Sequence, residues 1–153
     1  MNTTEIPLKK VTVAQVVKAH YRGLRTKING VNFIGTEYLF LKEVFATKGF
    51  KNRINKLSEI KEIKENTFEH LKDSDQYKCS DDGVKYQLLA KDSIIVLNTK
   101  IGDIGINYNY YSYFKKLGTE LRFTSNTTPI GIFKDDEFIG VVLPIRIKKD
   151  FTY

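Results

Sequence analysis

Residues 104–147 read IGINYNYYSYFKKLGTELRFTSNTTPIGIFKDDEFIGVVLPIRI, and the order of patterns in this stretch decides the fold class. Ile104, Gly105 and Ile106 form a short strand-like run. Asn107 stands where a helix N-cap belongs, since its side-chain oxygen can accept from the first free amides. The helix predicted over 108–117 is closed by Gly118, the residue type that ends helices most readily. Three strand-like segments follow, at 120–124, 130–133 and 138–147. Asp135 and Asp136 make the turn between the last two. A strand, a helix and three strands in succession predict an α+β domain.

Working outward, residues 84–88 alternate apolar and polar with period two, Lys91-Asp92-Ser93 reads as a turn, and Ile94 to Leu97 reads as a buried strand. Further upstream the chain is charge-rich. Ile54, Leu57, Ile60, Ile63, Phe68 and Leu71 recur at roughly helical spacing, which predicts a helical segment at about 51–72. A second helix is expected over 36–47, with Thr36 as N-cap, Leu39, Phe40 and Val44 as its apolar stripe and Gly49 as its end. In 11–28, Val13, Val16, Val17 and Leu24 can share one helical face, although β-branched residues weaken that pattern. Gly30-Val31-Asn32-Phe33 and Gly105-Ile106-Asn107-Tyr108 share glycine, β-branched residue, asparagine and aromatic residue, which suggests two related halves. Proline occurs three times and no low-complexity linker interrupts the chain, so 1–153 is read as a single domain with a basic N-terminal extension at 1–30.

The chain has 153 residues, 41% hydrophobic and 28% charged, enough for one domain with a real core. No apolar run is long enough to cross a bilayer as a helix, and the first residues lack the apolar centre of a secretory signal. The single cysteine, Cys79, allows no internal disulfide or cysteine cluster, and a cytoplasmic location is expected. Net charge is +7. Residues 1–56 hold eleven Lys/Arg against three Asp/Glu, whereas 57–105 hold seven against ten. A basic first third suits either a polyanion partner or a solubilising surface.

Catalytic groups are sparse. The two histidines, His20 and His70, lie fifty residues apart without a metal-ligand spacing. Asp81-Asp82 and Asp135-Asp136-Glu137 sit in turns and lack the ordered oxygen ligands of a calcium loop. The glycines at 102 and 105 are not followed by the Lys-Ser/Thr that holds phosphates. No enzyme, metal or cofactor is expected. Tyr108, Tyr110, Tyr111, Tyr113 and Phe114 crowd beside Lys115 and Lys116, a mixture that can stack on bases and neutralise phosphates, although helical spacing buries many of these rings.

The residues from Asn107 through Pro144-Ile145-Arg146 resemble the carboxy-terminal domain of the bacterial DNA sliding clamp, the β subunit of the replicative polymerase. That family has an asparagine-capped helix, a strand, a Ser/Thr-Pro strand and a last strand reading like Val-Met-Pro-Met-Arg. The resemblance covers 104–147 and extends loosely back to residue 83. It implies a domain of two βαβββ-type halves, here with the helical segment at 51–72 added. It implies a non-enzymatic accessory of DNA metabolism. Lys115 and Lys116, with Lys42 and Lys48 on the earlier helix, would contact duplex DNA. Pro129, Val141, Leu143, Pro144 and Ile145 match an apolar pocket that holds partner peptides, although apolar residues on strands are usually core. Clamps have three such domains per chain, so a ring of this chain needs a homo-oligomer. The departures suit a phage or mobile-element protein. The competing expectation is an interaction module that inhibits a host defence nuclease, in the manner of an anti-CRISPR protein, or host replication.

Overall fold

The computed structural model describes residues 6–147. The first five residues of the expected extension and the tail 148–153 lie outside the described residues. The fold is α+β and dominated by strands. In order, it contains α1 (Val13–Val16), β1 (Gly23–Ile28), β2 (Val31–Thr36), β3 (Leu39–Lys42), α2 (Lys48–Asn55), β4 (Ile60–Glu62), β5 (Cys79–Ser80), β6 (Lys85–Leu89), β7 (Ile94–Thr99), β8 (Gly102–Asn107), α3 (Tyr108–Lys115), β9 (Glu120–Phe123), β10 (Ile130–Lys134) and β11 (Glu137–Val142).

Eight strands form one sheet in the order β4-β1-β2-β3-β11-β10-β9-β5, and β6-β7-β8 form a second. The order of the six inner strands is a palindrome, β1-β2-β3 facing β11-β10-β9, while the edges differ, β4 pairing parallel to β1 and β5 antiparallel to β9. Each side is an antiparallel meander preceded by a helix, α1 before β1–β3 and α3 before β9–β11. The two meanders join at an antiparallel seam, where Leu39, Phe40 and Leu41 pair with Val142, Val141 and Gly140. Phe40 and Phe138 point to one face of the sheet, Leu41 and Ile139 to the other. The second side follows the order β8-α3-β9-β10-β11; on the first, no strand precedes α1 among the described residues.

Two apolar cores result. The larger lies between the sheet and a layer made of the three helices and the small sheet. Val16, Phe50, Ile54, Tyr111 and Phe114 meet Ile34, Leu41, Ile132 and Ile139 there. The smaller lies on the opposite face, around Phe33, Phe40, Phe133, Phe138 and Val141. Each fully buried side chain of this size contributes about 1.5–3 kcal/mol. The second face is covered by the chain between β4 and β5, which start from opposite edges of the sheet. This strap lays Phe68 on Phe40 (ring centroids 5.2 Å apart) and Tyr77 edge-on to Phe133 (5.4 Å). Gly131 makes room for it, because a Cβ there would lie 2.5 Å from the Tyr77 hydroxyl.

The carboxy-terminal half matches its sequence reading closely. Asn107 accepts from the Asn109 and Tyr110 amides, Gly118 takes a positive φ of 75°, and Asp135 and Asp136 adopt the left-handed turn between β10 and β11. The amino-terminal half requires corrections. Within 11–28 only Val13–Val16 is helical, and Gly23–Ile28 is β1. The helix expected over 36–47 is instead β3 and a 3-10 turn, Glu43–Phe45. Leu39, Phe40 and Leu41 are consecutive apolar residues because a central strand is buried on both faces. The Thr36 hydroxyl accepts from Tyr38 in a strand turn rather than capping a helix. The helical segment at 51–72 is helical only through Asn55; beyond it lie β4, paired parallel to β1, and short 3-10 turns. The glycine motifs are not equivalent either. Asn29 and Gly30 form the left-handed two-residue turn joining β1 to β2, while Gly105 lies inside β8. Finally, β11 stops at Val142, so Pro144 stands after the strand and removes no ladder bond.

Candidate nucleic-acid interface

The three helices and their caps, 12–17, 47–56 and 107–116, contain no Asp or Glu. Residues 6–36 likewise carry six Lys/Arg and no carboxylate. Helix dipoles favour acids in the first turn by about 0.3–1 kcal/mol, yet no first turn here has one. Lys48 even occupies the first turn of α2, where the dipole disfavours a cation. Lys10, Lys18, Lys48, Lys56 and Lys116 are exposed, and none forms an ion pair among the described residues. The helices belong to one layer. Arg53 of α2 donates to the Val17 carbonyl at the end of α1 at 2.8 Å, and all three helices contribute to the larger core.

Of the four cations expected to meet DNA, Lys48 and Lys116 are free on this layer among the described residues. Lys115 is committed elsewhere. Its ammonium sits 2.8 Å from Asp81 Oδ2 and donates to the Thr119 carbonyl at 2.6 Å. Asp81, with a side chain only 1% exposed, also accepts from the Leu121 amide at 2.9 Å and the Tyr111 hydroxyl at 3.1 Å. Lys42 is on β3, not on a helix, and is paired with Glu137 across the seam. The aromatic crowd on α3 is mostly core. Tyr108, Tyr110, Tyr111 and Phe114 are buried, and residues 7–9 lie over the helix. There the Lys9 amide donates to Ser112 Oγ at 3.1 Å and the Tyr108 hydroxyl donates to the Pro7 carbonyl.

The five residues expected to form a peptide pocket separate. Val141, 3% exposed, packs in the smaller core. Ile145 bonds to β8 through the Gly105 carbonyl at 2.7 Å. Pro129 and Pro144 are half-buried, and only Leu143 is exposed. Neither of two open depressions on the surface includes any of the five. One, of about 430 Å³, lies beside the β1–β2 hairpin, and the other, of about 290 Å³, lies beside Phe33 and Phe138. Three residues not anticipated from sequence, His20, Tyr21 and Tyr38, stand at the sheet end near Leu143.

Comparison with family models, curated proteins and solved structures finds no match. The chemistry of the surface therefore carries the functional reading. Among the described residues, no group of three His, Cys, Asp or Glu side chains is placed to hold a metal ion, and no helix is long and apolar enough to cross a membrane.

Proposed function

We propose that this chain is a non-enzymatic, sliding-clamp-like accessory of DNA metabolism that holds duplex nucleic acid on its helical layer. The observation that carries this reading is the set of three helices without a carboxylate of their own, together with the unpaired lysines on and beside them. A layer built for stability alone gains from acids at its helix starts, and this one has none. The palindromic inner sheet supports the clamp-like part, because two helix-led, three-stranded meanders meeting at a seam resemble paired βαβββ halves, the first without its leading strand among the described residues. The cations are offered mainly from the α1 and α2 side, since α3 is buried beneath residues 7–9.

The test is duplex binding as a function of salt, with the mass of the complex followed by light scattering. Replacing Lys48, Lys56 and Lys116 with Glu is expected to weaken binding and to lower the slope of log K against log salt by about 3, as loss of three phosphate contacts requires. A protein whose mass and mobility ignore duplex at low salt overturns the reading. A discrete multimer on DNA supports ring-like assembly. The competing reading, a mobile-element inhibitor gripping a host defence nuclease or replication protein, is favoured by the exposed Tyr38 and Leu143 pair. It requires a stoichiometric complex with such a protein and no affinity for free duplex.

A further inference from the structure

Two of the five large apolar side chains exposed among the described residues adjoin at one end of the large sheet. Tyr38 and Leu143 are 41% and 38% exposed, and the Leu143 amide donates to the Tyr38 carbonyl at 2.9 Å. The exposed His20 ring meets Tyr21 at 4.7 Å, and Tyr21 meets Tyr38 at 4.9 Å, both edge to face. Lys18 opens the same turn, with its carbonyl accepting from the Tyr21 amide at 3.0 Å. The neighbouring carboxylates are partly engaged. Glu37 accepts from the Arg22 amide at 3.4 Å, and Glu59 lies 3.4 Å from the Arg22 guanidinium.

We propose that this end binds single-stranded nucleic acid, with bases stacking on Tyr38 and His20 and phosphates held by Lys18 and the adjoining helical layer. The proposal rests on the nucleic-acid reading above and names the substrate as a duplex continued by a single strand. The turn at 18–21 leaves α1 directly, and the Arg53 contact to Val17 ties that end of α1 to α2, so Lys18 and the rings follow on from the helices that carry the other lysines. Charge favours a nucleic acid over an apolar peptide: Lys18 is exposed in the turn that carries the rings and is unpaired among the described residues, and neither of the two depressions described above includes this end. A base needs only an exposed ring with a cation nearby.

The experiment compares a blunt duplex with the same duplex carrying an oligo(dT) tail, using the intact protein and fluorescence anisotropy. The tail is expected to tighten binding about tenfold. Replacing Tyr38 and His20 together with Ala removes that gain and leaves blunt-duplex affinity unchanged. Tyr38→Trp keeps the gain. The chain has no tryptophan of its own, so the emission of this variant reports the site directly and is quenched by the tail but not by the blunt duplex. Blunt-duplex binding with no gain from the tail, or a gain that survives the double alanine variant, overturns the proposal and leaves the helical-layer reading standing. Tyr38-dependent tail binding without any duplex binding does the reverse. A blue shift of the Tyr38→Trp emission with an apolar leucine–phenylalanine peptide, and no response to the tail, overturns the proposal in favour of peptide docking.

Discussion

Lys115 and Lys116 are neighbours in sequence with opposite fates. One closes a network around buried Asp81, and the other stands in solvent. Sequence marks both as basic residues at a helix end, where the dipole favours cations, but contains no sign that a turn residue more than thirty positions upstream returns to claim the first. The tyrosines divide similarly. Burial raises the ionisation of Tyr77 to about 12 and also raises Tyr108, Tyr110, Tyr111 and Tyr113 above the ordinary value. For Tyr110 the hydrogen bond to Tyr21 adds to burial, and for Tyr111 the Asp81 carboxylate does. A phenol that ionises less readily folded than unfolded supports the fold while neutral. Its contribution is complete below the unfolded value near 10 and is lost as pH rises through the folded one. Absorbance at 295 nm is therefore expected to show tyrosine ionisation in the folded protein lagging behind that of the urea-unfolded chain between pH 10 and 12, with stability to urea falling over the same window. Nine tyrosines titrating together near pH 10 in the folded protein contradicts this burial.

At the scale of elements, those flanked by strong local punctuation were legible. Asn107 and Gly118 bound α3, and the Asp135-Asp136 turn fixed the last hairpin. The β3 strand and the strap were not, because their shape comes from distant partners. Leu39, Phe40 and Leu41 are strand because β2 and β11 flank them, and residues 63–78 lack a regular helix because they follow the sheet face. The exposed lysines were legible only as a regional imbalance of charge, although the unbroken absence of acids over 6–36 was available to find them. The strap gives a direct test of this packing. Gly131→Ala places a methyl group against the Tyr77 ring and is expected to destabilise by about 2 kcal/mol. In a double-mutant cycle with Tyr77→Ala, the combined loss is expected to fall short of the sum by at least about 1 kcal/mol, measured by urea denaturation. Additive losses indicate that the two residues do not touch.

Across the whole molecule, the α+β class was legible and the palindrome was not. The four-residue motif at Gly30 and Gly105 suggested two halves but aligned them wrongly, since the structural correspondence runs between the meanders and is carried by faces and turns rather than by shared residues. The seam makes the halves mutually dependent. Leu41→Ala on one side and Ile139→Ala on the other are each expected to cost about 2–5 kcal/mol. Each should shift a single thermal transition by calorimetry; separate transitions for the two halves exclude a shared core. The seam also has a consequence for how the chain is made. During synthesis β3 leaves the ribosome nearly a hundred residues ahead of its partner β11. At about 5–20 residues per second, its Leu39-Phe40-Leu41 edge stays unpaired for roughly 5–20 seconds. Such an edge is sticky, so the nascent first meander is exposed to aggregation until β11 arrives to cover it.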